Sequence, residues 1–424
     1  MKARAKVDVK EEVELEVSQE RERLFSNVNA ETLQHESGSV AGSMALVAGT
    51  TVGAGILALP AVTQDAGYLP SSAVILGCWA FSCVTGLLLA ETNIRLMCEL
   101  GRGGVSMLSM AKTTCGKTGQ VTAGVTYVFL HYALMVAYIS RGGELLASFI
   151  DTSPALASLA FTALLGTTVY ASEAKVLDRV NTALVAGVIL SFLGILVVAL
   201  VKFDASQLSD SSASKAFSCI PVVALSFVYH NIIPTVSSNL EGDRRKITLA
   251  ILGGTGIPLV MFLLWNAAIL GYHVGGDGSL GTDPLKILQE DPGVGTYIMA
   301  FSLLAVATSF IGFVLGLVDF VADGMKLPTN TRSVLPFALT VAPPSIFALL
   351  YPDVFLKALD LAGTYGVLAL FGVLPAGMAW QARQREDLKN FPNMVPGGVP
   401  VLLLVGGSAM GVIAQQTLVN VGAI

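Results

Sequence analysis

The sequence predicts an all-α membrane protein with eleven transmembrane helices, built as two inverted five-helix units plus one added helix. Three observations predict it. The chain is 53% hydrophobic and 13% charged, whereas soluble domains run at about 25% charged, and its mean hydropathy is +0.69. Its apolar residues fall in runs of about 20, the length that crosses about 30 Å of hydrocarbon. Two of those runs, five apart in order, are interrupted at their centres by glycine, proline and polar residues.

Taken in order, residues 1–38 form a polar, Glu-rich tail that begins with the basic MKARAK. It lacks the apolar core of a signal peptide, and its composition reads as a partly disordered or surface-helical cytoplasmic tail. The transmembrane domain follows over 39–420. Segment 1 (40–65) contains AGTTVGAGILALP, Ala48 to Pro60, and segment 2 (71–98) carries Glu91 and Arg95 at helix ion-pair spacing. Segment 3 (119–150) bears His131, Tyr132, Met135 and Tyr138, then Arg141 and Glu144. Segments 4 (153–172) and 5 (180–201) are uninterrupted and close the first unit, about 40–201. Segment 6 (216–240) reads PVVALSFVYHNIIPTVSSNL from Pro221, with Tyr229, His230 and Asn231 at its centre and Pro234 just after. Segments 7 (247–273), 8 (296–322), 9 (333–351) and 10 (356–380) complete the second unit, about 216–380. Asp319 and Asp323, one turn apart near the inner end of segment 8, are expected partners of loop cations, and Asp360 near the start of segment 10 is a gate candidate. Segment 11 (398–419) is the added helix. The loop 274–295 is acidic and Gly-rich, as a solvated outer loop should be.

Lysine and arginine set the orientation, because they are retained on the cytoplasmic side. With the N-terminus inside, the inner connections and helix ends hold 20 of the 25, the outer ones hold Lys202, Lys215, Lys286 and Lys357, and Arg141 lies within segment 3. The C-terminus is then outside.

The two breaks have a physical use. A helix interrupted in mid-membrane exposes free N–H groups on one half and free C=O groups on the other. In lipid each would cost several kcal/mol, so they must line a cavity or be buried in protein. Helix N-termini attract carboxylates, and carbonyl ends attract cations. Gly53 and Gly55 let the backbone unwind and approach a ligand. A zwitterionic amino acid matches both ends of such a site, and broken segments at matching places in two halves mark a midplane site of a transporter. The competing reading of the glycines is close helix packing.

Other classes find no support. No basic stripe points to nucleic acid, and no cofactor motif, HExxH or nucleophile–base set points to an enzyme. Cys78, Cys83, Cys98, Cys115 and Cys219 form no CxxC and no metal-ligand spacing with histidine. A channel would want a repeated filter or pore ring; a channel or receptor remains the alternative from another class.

GTTVGAGILALP in segment 1 and SFVYHNIIPTVSSNLEGDRRKI in segment 6 resemble the aromatic amino acid permease (tryptophan/tyrosine permease) family. So do GTGIPLVMFLLWNAAILG in segment 7 and ATSFIGFVLGLVDFVAD in segment 8, and the resemblance runs from about 40 to 418. That family belongs to the amino acid–polyamine–organocation superfamily and shares the leucine-transporter-like fold with broken helices 1 and 6. The resemblance implies a symporter-type secondary transporter for tryptophan or tyrosine. A permease for another small amino acid or amine, such as serine, is the alternative within transport.

It also implies roles. The amides of Ala54 and Gly55 would hold the substrate carboxylate. Carbonyls around Thr50 and Thr51, and near Phe227 and Val228, would take the ammonium. His230 and Asn231 would line the site beside Tyr229, and His131, Tyr132, Met135 and Tyr138 would wall an aromatic side chain. In sodium-coupled relatives of the fold, Thr308 and Ser309 would join carbonyls of Gly49, Val52 and Ala305 around the ion. Against that, serine and threonine in membrane helices often bond their own backbone, and proton coupling through His230 or Glu91 is the other reading. For Glu91 a plain ion pair with Arg95 competes, and for His230 a bonded structural histidine. Arg141 and Glu144 read as a structural pair or outer gate. Bacterial relatives imply a plasma membrane, plant and algal ones a plastid envelope.

Overall fold

The structure, a computed structural model, describes residues 38–100, 105–172, 174–209, 211–272, 284–291, 293–325, 334–385 and 391–422. The expected tail up to 37 and residues 274–283 and 292 of the acidic outer loop lie outside the described residues. Among the described residues, nine helices are long and apolar enough to cross a membrane, or ten when the bent pair in segment 1 is one span. Val334–Leu350, the predicted segment 9, is a shorter apolar helix of 17 residues.

Segment 1 is two helices, Val40–Thr51 and Gly55–Thr63, bent by 55°. Ser39 caps the first by accepting the Gly42 N–H at 2.9 Å. The hydroxyls of Thr50 and Thr51 donate back to Leu46 O and Val47 O at 2.8 and 2.7 Å, a pattern that bends helices. Val52 then turns extended, with ψ of 93°. The second half is tied down by a buried chain: Thr63 donates to Asn266 Oδ1 at 2.7 Å and Asn266 Nδ2 to Ser71 Oγ at 3.1 Å.

Segment 6 breaks differently. Helix Ile220–Ser226 ends, Phe227–Tyr229 is irregular, His230–Ile232 makes one 3-10 turn, and Ile233–Asn239 resumes the α-helix with Pro234 in its first turn. There proline costs no bond, since the first-turn N–H has no intrahelical partner.

Segments 3 and 10 differ from the sequence expectation in how they are wound. Segment 3 begins at Met107, not 119. The earlier residues are polar but helical, with Thr113 and Thr114 hydroxyls bonded to Ser109 O and Met110 O. Gly116, at φ of 68°, kinks this part from the rest, a left-handed conformation that suits glycine. Segment 10 is helical over Phe355–Gln384, but Ala362–Val373 is wound as a π-helix. Gly363 there lies against the Pro221 carbonyl, where a Cβ would not fit.

Close packing at glycines organises the bundle. The first half of segment 1 packs on segment 7, with Gly253 and Gly254 under Met44 and Val47, and segment 6 packs on segment 2. Segment 5 packs on segment 8 at Gly187 and Gly194, and segment 10 on segment 3 at Gly366. Segments 4 and 3 pair, as do 9 and 8. Segments 5 and 11 are peripheral, the other helices covering little of their apolar surface, so they face the lipid.

Candidate functional site

The two breaks meet. A Cβ on Gly55 would lie 2.8 Å from Ser226 Oγ and 3.2 Å from Ser226 Cα, and a Cβ on Gly53 would lie 3.0 Å from Ser309 Oγ. Glycine is what permits segments 1, 6 and 8 to converge here. The Ala54 N–H donates to Ser309 Oγ at 2.9 Å.

Around this junction lies a cavity of about 400 Å³, within the range of roughly 300–1,000 Å³ for small-molecule sites. One wall is the stretch from Gly49 to Gly55. Segment 6 adds Ser226, Val228 and Asn231, and segment 8 adds Thr308 and Ser309. The opposite wall is aromatic. Tyr127 and His131 have ring centroids 3.9 Å apart, His131 and Phe313 4.9 Å, and Tyr138 and Phe313 5.6 Å. A second cavity of about 390 Å³ adjoins through Tyr127, Asn231 and Gly316 and reaches Ser106 and Asn239, towards the lysine- and arginine-rich face.

Opposite that face lie ion pairs, Glu144–Lys286 and Lys202–Asp291 between elements and Arg141–Glu144 and Lys357–Asp360 within one helix turn. Glu144 holds Arg141 at 2.7 Å and Lys286 at 2.6 Å, Lys202 holds Asp291 at 2.7 Å, and Asp360 sits 3.6 Å from Lys357. The hydrogen bond from Lys202 and the Gly293 N–H keep the Asp291 carboxyl below its ordinary range. Ser140 Oγ also donates to Pro352 O.

By its sequence the chain matches the tryptophan/tyrosine permease family over residues 36–415. The chain belongs to that family. It is 31% identical to the tyrosine-specific transport system 1 of Haemophilus influenzae, over 86% of this chain and 93% of that one. It is 28% identical to the tryptophan-specific transport protein of the same organism, over 90% and 97%. Among solved structures its fold is similar to a manganese transporter of Eremococcus coleocola, with a TM-score of 0.58, 14% identity and coverage of 95% and 91%. The permease is a multi-pass membrane transporter and not an enzyme.

Several residues expected at the site turn elsewhere in the permease. His230 is buried beyond the cavity, with Nε2 2.8 Å from Thr85 Oγ1 and its ring stacked on Phe371 and Tyr229 at 4.8 Å each. Phe371, not His230, lines the cavity. The Tyr229 hydroxyl donates to Ser82 O at 2.9 Å, in space left by Gly86. Phe227 packs edge-on against Phe262 at 5.0 Å, and its carbonyl accepts Ser82 Oγ at 2.8 Å. Tyr132 points to segment 9, donating to Leu339 O at 2.6 Å, and Met135 is fully buried in the core. The cavity face of segment 3 is instead Tyr127, Leu130, His131, Leu134 and Tyr138, one helical stripe. Thr308 donates to Ala305 O at 2.9 Å, within its own turn, and Ala305 is buried away from the cavity.

Glu91 also stands apart from the cavity. Its carboxylate takes a two-pronged bond from Arg383 at 2.8 Å on each oxygen, the Met394 N–H at 2.8 Å and Arg95 at 3.1 Å. Arg95 reaches on to Phe391 O and Asn393 Oδ1 at 3.0 and 2.7 Å. The simple pair expected with Arg95 is thus part of a buried clamp joining segments 2 and 10 to the connection before segment 11. Glu91 borders a separate cavity of about 270 Å³ that Arg95, Arg244 and Met394 also line, not the cavity at the two breaks.

Sequence reasoning missed Tyr127, Phe313, Gly312, Gly316, Asn181 and Phe371, all on the cavity wall. Gly312 and Gly316 were legible only as small residues one turn apart, a spacing that ordinarily means helix packing.

Proposed function

We propose that the permease is a secondary active transporter that carries tryptophan or tyrosine by alternating access, coupled to a proton or sodium gradient. The observation that carries this reading is the junction of two half-helix ends over one cavity with an aromatic wall. The N-terminus of Gly55–Thr63 turns the positive end of its dipole to a carboxylate, with the Ala54 N–H already held by Ser309 Oγ, and the C-terminal ends of Val40–Thr51 and Ile220–Ser226 offer carbonyls to an ammonium. The relatives' tyrosine and tryptophan specificities support the substrate class.

In this reading eleven segments span the membrane, as two inverted units of five and one added helix. The packing supports the repeat: segment 1 on 7 has its counterpart in 6 on 2, 5 on 8 in 10 on 3, and 4 on 3 in 9 on 8. The distribution of lysine and arginine supports an inside N-terminus and outside C-terminus. Similarity to bacterial transporters supports a plasma membrane over a plastid envelope. The second cavity, reaching the lysine- and arginine-rich face, and the ion pairs opposite it support an inward-facing state.

Uptake of labelled tryptophan and tyrosine into proteoliposomes, with proton and sodium gradients imposed separately, tests the whole reading. Accumulation above equilibrium under one gradient is expected; none under either would overturn it. If sodium drives uptake, replacing Thr308 and Ser309 together by alanine should remove the sodium stimulation. If uptake never responds to sodium, the proton gradient is the driving force.

A further inference from the structure

The cavity wall contains a histidine whose tautomer its hydrogen bond points to. His131 is 5% exposed and lines the cavity. Its Nδ1 lies 2.8 Å from the Tyr127 carbonyl, one turn back on the same helix. A carbonyl oxygen only accepts, so Nδ1 carries the proton of the neutral ring and Nε2 is a bare acceptor. No protein donor among the described residues meets Nε2. A methyl group on Gly316 would sit 3.6 Å from Nε2 and 3.4 Å from the Tyr127 hydroxyl. At Gly312 a Cβ would meet nothing within 4 Å. Segments 3 and 8 therefore leave a slot along the two glycines. The Phe313 ring flanks it, and an acceptor and a hydroxyl stand where Gly316 faces segment 3.

We infer that this slot receives the substrate's aromatic ring and that His131 Nε2 accepts a hydrogen bond from its polar edge, an indole N–H or a phenol O–H. The inference rests on the proposed aromatic substrate and adds the residue that selects within that class. Indole is a donor alone, and His131 suffices for it. Phenol both donates and accepts, and the Tyr127 hydroxyl is placed to donate to it. A phenylalanine ring would fill the same slot but offer Nε2 nothing, leaving a buried acceptor unpaired once water is displaced. A site built around such an acceptor discriminates against the analogue that lacks the donor more sharply than shape alone can.

Competition against uptake of labelled tyrosine tests this in wild type and in His131→Phe, which keeps a ring and removes the acceptor. The competitors are tyrosine, phenylalanine, tryptophan and 3-benzothienylalanine, the tryptophan isostere in which sulfur replaces the ring N–H. In wild type, phenylalanine and benzothienylalanine should compete roughly 5- to 150-fold less well than their donor-bearing counterparts. In His131→Phe that gap should close, through weaker binding of tyrosine and tryptophan. Three results would each overturn the inference: no gap in wild type, an unchanged gap in the variant, or an equal loss for all four competitors. Should the variant fail to insert, the isostere pair in wild type decides alone. Failure of the wild type to take up labelled tyrosine or tryptophan under any gradient would strike the substrate reading itself, and it is read without competitor or variant.

Discussion

The two breaks look alike in sequence and are built in opposite ways. In segment 1 the irregular residues Val52, Gly53 and Ala54 are small, and they present main chain to the cavity. In segment 6 the irregular residues carry large rings, and Phe227, Tyr229 and His230 all bury them in protein, against Phe262, Ser82 and Thr85. The first break is a surface from which side chains have been cleared. The second is an anchor to segment 2, and it leaves Ser226, Val228 and Asn231 to the cavity. At the first, an added atom does damage; at the second, a removed one does.

The largest effect is expected at Gly55→Val. The new Cβ would crowd Ser226 Oγ and Cα at 2.8 and 3.2 Å, overpacking that costs about 1–3 kcal/mol, and a β-branched residue resists the break. Uptake should vanish while the protein still inserts. Near-normal substrate binding by the purified variant would show that the first break is not a binding surface.

Next comes His230→Ala. As an anchor, His230 should support net accumulation and exchange alike, so both should weaken together, by roughly 1–3 kcal/mol or about 5- to 150-fold. Parallel measurements of gradient-driven uptake and of exchange of labelled for unlabelled substrate distinguish the roles. Loss of accumulation with exchange intact would make His230 a proton carrier and end the contrast between the breaks. The smallest effect belongs to Tyr229→Phe, which removes one buried bond to Ser82 O. It should lower stability by about 1 kcal/mol, seen as a lower Tm in detergent, with KM for uptake unchanged. A raised KM with unchanged Tm would place Tyr229 at the substrate.

How much of this was legible follows from what carries direction in a sequence. The breaks were legible at Gly53, Gly55 and Pro234 because glycine and proline disfavour a helix interior. The bearing of His230 was not, because past an irregular stretch the helical period no longer says which way a side chain points. Tyr132 and Met135 were misplaced for a related reason. In a helix apolar all round, the pattern does not distinguish the face towards a cavity from the face towards another helix. The π-wound part of segment 10 left no signature beyond glycines whose neighbours are known only in three dimensions. Glu91 was visible as the partner of Arg95 at i,i+4, but Arg383 and Met394 lie too far along the chain for spacing to connect them.

That distance has a consequence for how the chain is made. Arg383 follows Glu91 by 292 residues, which at synthesis rates of about 5–20 residues per second is roughly 15 to 60 s. Throughout that interval segment 2 lies in the bilayer with a carboxylate whose strongest partners have not yet been translated. Arg95, one turn away, is its companion during the wait. The clamp closes only when segment 10 and the connection after it arrive, so it registers the arrival of segment 10, with segment 11 still to follow. A nascent permease cut short before Arg383 would keep a poorly paired acidic group in the membrane, the kind of defect by which unfinished membrane proteins can be told from finished ones.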